Sequence, residues 1–187
     1  MIFFPKPKII NRELKIISIK NFYIVNPFQR KKINEIIEKN RLFFPKNSVD
    51  HNYPIIEEEI NFFSKLQDKF LKVSKKIFNQ ITLSDERVRF CYCYNSSLTD
   101  YVSIYHDHTK TCIINGVYYY QVSKGDSITF LMEDGNEFTY FPIQGELLIF
   151  PSTLIHKPNK PSTNKKRYSL NMELFTLESA DQLFSII

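Results

Sequence analysis

Apolar positions along this chain obey two periods, and the change between them divides it. From Pro54 to about Phe78, the residues Ile56, Ile60, Phe63, Leu66, Phe70, Val73 and Ile77 recur at intervals of three and four. That spacing predicts a helix with a wide core-facing stripe, a buttress against a sheet rather than a binding element. Glu57, Glu58 and Glu59 would fall in its first turn, and Lys75 and Lys76 in its last, as the helix dipole favours. An earlier helix is expected from Asn26-Pro27, a cap followed by proline at the first helical position, to Lys39, with Ile33, Ile36 and Ile37 at helical spacing. Before it, Leu14–Ile19 and Phe22–Val25 are rich in β-branched and aromatic residues and read as short strands. Residues 40–53 read as loop, and His51 within it is given no role.

From Arg87 onward the period becomes two. Val88–Tyr94, Val102–His108, Cys112–Val122, Ser127–Leu131, Glu137–Phe141, Glu146–Phe150, Leu154–Lys157 and Tyr168–Phe175 read as strands. Turn signals at Lys124-Gly125-Asp126, Asp134-Gly135-Asn136 and Gln144-Gly145 separate several of them. Short strands at regular spacing predict a sandwich or jelly roll. The expected whole is a single α+β, mainly β domain over residues 1–187. Residues 1–86 would supply N-terminal strands and buttressing helices, 87–176 the β core, and 177–187 a tail.

Composition narrows the chemistry. The 187 residues include only 4 glycines, and no G-x-G-x-x-G or G-x-x-x-x-G-K-[ST] run occurs, which argues against dinucleotide and phosphate-loop binding. The net charge of +5, from 25 Lys+Arg against 20 Asp+Glu, is mildly basic. It favours an anionic substrate or partner without implying nucleic acid. Cys91 and Cys93 share one face of a strand, poor geometry for a mutual disulfide, and together with Cys112 they read as reduced thiols. Pro5 and lysines follow Met1–Phe4 at once, unlike a secretory signal. No run approaches the roughly 20 apolar residues that span a bilayer. A reduced, cytoplasmic protein without membrane contact is expected.

Three of the 4 histidines, His106, His108 and His156, stand close to strand-like runs in the second half of the chain. Histidine is the commonest metal ligand among side chains. Residues two apart on a strand share a face, so His106 and His108 can point at one ion. A third imidazole from beyond Leu147–Phe150 would close one face of coordination and leave positions open for chemistry. Arg167 alternates with Tyr168, Leu170 and Met172 along the last strand. Buried between strands, its planar fork would need an anionic guest or a fixed acid.

These residues carry a resemblance. The stretch from Tyr94 to Leu174 resembles the 2-oxoglutarate- and iron(II)-dependent oxygenases, whose core is a double-stranded β-helix, a jelly-roll and cupin-like barrel. Their H-x-[DE] pair corresponds to His106-Asp107-His108. Gly145 to His156 looks like the segment that leads to their distal histidine. Arg167-Tyr168-Ser169 looks like their clamp on the far carboxylate of 2-oxoglutarate, and Gly116-Val117-Tyr118-Tyr119-Tyr120 resembles the aromatic strand lining that pocket. The small oxygenases of phages and marine bacteria, with a similar H-x-H…G-V-Y-Y run, look nearest. The resemblance implies Fe(II) as cofactor and 2-oxoglutarate as co-substrate. It implies that Arg167, Ser169, Tyr94 and Tyr119 contact the co-substrate. The implied reaction hydroxylates a small-molecule or peptidyl substrate with release of succinate and carbon dioxide.

One position departs from the family pattern: the acid is replaced by His108. Three arrangements follow. His106, His108 and His156 form a neutral three-histidine face, which period-two geometry allows without distortion. Alternatively the backbone bends so that Asp107 binds in place of His108, or His108 does not bind and water or an anion fills the gap. Two other functions also fit the pattern. One is a three-histidine, cupin-like dioxygenase that does without 2-oxoglutarate, such as a thiol dioxygenase. The other is a non-catalytic module binding nucleic acid or protein through Lys157, Lys160, Lys165 and Lys166. The Arg167-Tyr168-Ser169 context favours the oxygenase.

Overall fold

A computed structural model describes residues 6–41, 53–54, 60–78, 88–95, 104–110, 112–161, 163 and 167–174, without the side chains of 36–41, 53–54, 60–64 and 88–95. The strands are β1 (Lys8–Asn11), β2 (Ile16–Ile19), β3 (Tyr53–Pro54), β4 (Val88–Asn95), β5 (Ile114–Gln121), β6 (Ile128–Leu131), β7 (Glu137–Tyr140), β8 (Glu146–Pro151), β9 (His156–Pro158) and β10 (Arg167–Leu174). The helices are α1 (Pro27–Arg41) and α2 (Ile60–Ile77). The chain is mainly β, as the alternation predicts. Its strands form two antiparallel sheets, a larger one in the order β1-β2-β8-β5-β10-β4-β3 and a smaller one in the order β7-β6-β9.

Period two sends neighbouring residues of the central strands into different cores. Tyr118, Tyr120, Leu147, Ile149, Leu170, Met172 and Leu174 cluster with Leu66, Phe70 and Val73 of α2. This is the outer face, and α2 buttresses it as its apolar stripe predicts. A Cβ on Gly116 would lie 2.6 Å from the Phe70 ring, so glycine is what lets the helix approach. The intervening residues Tyr119, Leu148 and Phe150 face inward and cluster with Ile128 and Phe130 of the smaller sheet. On β10 the inward row is Arg167, Ser169, Asn171 and Glu173, all buried.

Local chemistry explains the element ends. Asn26 caps α1 by accepting from the Gln29 amide at 2.8 Å, while the Gln29 side chain accepts from the Asn26 amide at 3.1 Å. Gly145 takes a φ of 84° in the turn before β8. The buried Glu146 that follows accepts from Ser18, from the Tyr140 hydroxyl at 2.6 Å and from the Ile143 amide at 2.8 Å, tying β2, β7 and β8 together.

Four expectations are corrected. Phe22–Val25 is not a strand: Asn21 adopts a φ of 54°, turns the chain, and sends the buried Phe22 edge-on against Tyr118. Pro54, the expected start of a helix, pairs instead with β4, and α2 is described from Ile60 to Ile77. Ile56 and Glu57–Glu59 lie outside the described residues. Within the expected strand Val102–His108, the described residues 104–108 form a single bridge between His106 and His156. Leu154 and Ile155 precede β9, which begins at His156. His51, Lys165, Lys166, Phe175 and the 177–187 tail lie outside the described residues. No helix among those described is long and apolar enough to cross a membrane.

Candidate metal centre

Backbone hydrogen bonds bring the distant histidines together. The amide of His106 donates to the carbonyl of His156 and the amide of His156 to that of His106, each at 2.9 Å, and the His108 amide donates to the Ser152 carbonyl at 2.9 Å. The segments 104–108 and 152–156 are thus held in register. Their side chains converge: ligand atoms of His106, His108 and His156 all lie within 4.8 Å of one another. The ring centroids are 4.5, 5.2 and 5.3 Å apart.

The partners of the ring nitrogens set the chemistry. Nδ1 of His106 lies 3.1 Å from the Ile104 carbonyl, and Nδ1 of His156 lies 2.8 Å from the Leu154 carbonyl. A carbonyl can only accept, so in both rings Nδ1 carries a hydrogen and Nε2 is the nitrogen left to meet an ion. Nδ1 of His108 lies 3.1 Å from Glu173 Oε1, a carboxylate only 1% exposed. All three imidazoles therefore offer the same nitrogen to a common point. His156 packs edge-on against Phe150 at 4.9 Å and is 3% exposed. Burial first, and the neighbouring His106 next, push its pKa down to about 3. A neutral imidazole is the form that binds a cation, so the donor set fits a metal ion.

Asp107 does not join the three. It is exposed, and its Oδ1 accepts from the Thr109 amide at 3.0 Å and the Thr109 hydroxyl at 2.7 Å. These bonds, the hydroxyl's first, hold its carboxyl below the usual range. This turn also explains why no strand forms here: the Asp107 side chain supplies a local partner that competes with a ladder.

Arg167 is 1% exposed on the inner face and donates from Nη1 to the Ser127 carbonyl at 3.1 Å. It does not belong to an exposed basic run. Ser169 lies two residues on, buried, and directly opposite the buried Tyr119. Tyr94 is different. The register sets it opposite Tyr168, a position of the outer face, whereas Arg167 and Ser169 take the inner one. The Tyr94 side chain lies outside the described residues. Lys157 ion-pairs with Glu137 at 3.0 Å and lies over the Tyr105 ring, so part of the expected basic face is neutralised locally. Sequence reasoning missed Glu173. Its signal was the polar row Arg167, Ser169, Asn171, Glu173 at period two, of which only the first two were read.

The sequence matches no protein-family model and no curated protein sequence. The fold, in contrast, is shared with solved structures, among them prolyl hydroxylases and a protein bound to 2-oxoglutarate. A Pseudomonas putida prolyl-4-hydroxylase superposes with a TM-score of 0.56 at 13% identity, covering 86% of this chain and 92% of that one. HygX from Streptomyces hygroscopicus, solved with nickel and 2-oxoglutarate bound, gives 0.59 at 12% identity over 90% and 85%. A prolyl hydroxylase from Trichoplax adhaerens, solved with a peptide fragment of hypoxia inducible factor, gives 0.55 at 14% over 92% and 87%. The resemblance noted in the sequence thus extends to the fold of most of the chain.

Proposed function

We propose that this chain is an iron(II)- and 2-oxoglutarate-dependent oxygenase built on a double-stranded β-helix core. The observation that carries the reading is the convergence of three imidazole ligand atoms within 4.8 Å inside a fold whose inner face also buries Arg167. His106, His108 and His156 would hold the ion through Nε2. The Arg167 guanidinium would hold the far carboxylate of 2-oxoglutarate with its planar fork, with the hydroxyls of Ser169 and Tyr119 beside it. Tyr94, whose side chain is not described, keeps only the role that the resemblance implies. Iron(II) bound there would supply oxidation by dioxygen, with 2-oxoglutarate converted to succinate and carbon dioxide and a C–H bond hydroxylated. The protein's own part is to orient the imidazoles, clamp the co-substrate and exclude water with Phe130 and Phe150. The substrate is a small molecule or a peptidyl side chain, with anionic character favoured by the net charge of +5.

A second reading has one observation in its favour. No carboxylate joins the three histidines among the described residues, as in a three-histidine dioxygenase that does not use 2-oxoglutarate. The two separate in one experiment on anaerobic, iron-loaded protein titrated with 2-oxoglutarate. The oxygenase reading expects the weak visible charge-transfer band of the iron–keto-acid chelate, lost in Arg167→Ala, and succinate on admission of air. Iron binding with no such band supports the second reading.

A further inference from the structure

An acid ligand neutralises half the charge of a divalent ion. A face of three neutral imidazoles neutralises none of it, and a bound dication is then the largest local charge in its site. The chain nevertheless places a carboxylate at this centre, one residue further out. Glu173 is 1% exposed, on the inner face of β10, with Oε1 3.1 Å from His108 Nδ1. It stands opposite Asn115 of β5, and Asn171 Nδ2 lies 3.5 Å from the same oxygen. Burying a carboxylate costs heavily unless partners repay it, and here one partner is among the three converging rings. The other two rings are held by backbone carbonyls, which fix the tautomer but carry no net charge.

We propose that Glu173 is the positioning carboxylate of this centre. It fixes His108 with Nε2 toward the ion, and through that ring it supplies the negative charge that the missing ligand acid does not. This rests on the metal-binding reading above and deepens it. Carboxylates bonded to the far nitrogen of a ligand histidine raise its basicity, and their loss typically lowers metal affinity about 10- to 100-fold. His108 is thereby the strongest donor of the three, and the substitution of the family's acid by histidine moves the charge outward rather than removing it.

The test uses the full chain and Co(II) as probe, with affinity read calorimetrically and coordination read from the d–d bands. Glu173→Gln keeps the size and an acceptor but removes the charge. It is expected to weaken Co(II) binding about 10- to 100-fold and to shift the d–d bands. In a His108→Ala background the same change should cost nothing further, because its route to the ion is gone. A purely structural role would persist in that background. Wild-type affinity and spectrum in Glu173→Gln, or an equal loss with and without His108, would overturn the inference while leaving the metal reading intact. A folded wild-type protein that takes up no Co(II) would overturn both. A second measurement needs no variant: the long-range ¹H–¹⁵N spectrum of the metal-free wild type should show His108 with its proton on Nδ1. A proton on Nε2 would sink the proposal even if Glu173→Gln failed to fold.

Discussion

Strand β10 is buried along its whole length, yet its two faces carry opposite chemistry. Tyr168, Leu170, Met172 and Leu174 enter the cluster that α2 covers. Arg167, Ser169, Asn171 and Glu173 face inward and are just as inaccessible. Apolar burial on the outer face stabilises the fold in proportion to area. Polar burial on the inner face is a cost that only partners offset. A strand buried on both sides but polar on one is therefore a strand with an internal site. Inner polarity retained against that cost is what the proposed site on this face accounts for, and the outer face supplies the stability that tolerates it.

Substitutions on the two faces of this strand would break or sharpen that contrast. Leu170→Ala, on the outer face, should lower the unfolding free energy by about 2–5 kcal/mol, with a cavity left under α2. Urea titration of the metal-free protein reads this directly, and 2-oxoglutarate affinity measured on the folded fraction should barely move. Arg167→Met, on the inner face, should do the reverse. It replaces a buried guanidinium with an apolar side chain of similar length and leaves the Ser127 carbonyl without that donor, so stability should fall by about 1–3 kcal/mol at most. The 2-oxoglutarate affinity of the iron-loaded protein should fall about 100-fold or more, with the bidentate clamp gone. If Arg167→Met unfolds the protein as badly as Leu170→Ala, the arginine is a structural residue and the division of labour between the faces fails.

What the sequence disclosed follows from how local each signal is. The cap at Asn26, the stripe of α2 and the glycine turn at Gly145 are set by neighbours a few residues away, and they were legible. Arg167 was legible as an inward residue because Tyr168, Leu170 and Met172 alternate around it. The convergence of His106 and His108 was expected from a strand, and it occurs without one. Asp107 bonds Thr109 and stops the ladder, while the reciprocal pair with His156 holds the ring in place. Phe22–Val25 misled because its β-branched and aromatic content outweighed one asparagine in a left-handed conformation. Glu173 was illegible as a partner of His108, because nothing within either segment states that the end of β10 passes behind residue 108.

A pH titration probes the inner side further. His156 is held neutral, its pKa pushed from 6.5 to about 3 by burial first. The unfolded chain takes up the proton earlier, so this contribution to stability is full above about pH 6.5 and is lost as pH falls toward 3. The slope in that window is about 1.4 kcal/mol per pH unit at most. Unfolding of the metal-free protein followed at pH 7 and pH 5 should show the loss, and His156→Gln should flatten it. An unchanged slope in His156→Gln would mean that this imidazole is already charged or solvated, contrary to its burial.

The smallest effect is the one that decides the third position of the centre. Asp107 and His108 are adjacent, but one is exposed and bonded to Thr109, and the other faces Glu173. Asp107→Ala removes a surface turn contact, so Co(II) affinity should stay within about twofold of wild type, the scatter of an ordinary surface change. His108→Ala should weaken Co(II) far more, since it deletes a donor and leaves the Glu173 carboxylate buried beside an empty space. The reverse ranking would mean that the segment after His106 rearranges when it meets an ion, releasing Thr109 and turning Asp107 inward. The centre would then be a histidine–carboxylate one after all, and the charge argument for Glu173 would lose its basis. Equal losses in both variants would instead mean that Asp107, through its turn, sets the backbone that aims His108. Restoring the turn with Asp107→Asn, which keeps the acceptor oxygen without the charge, would then recover binding.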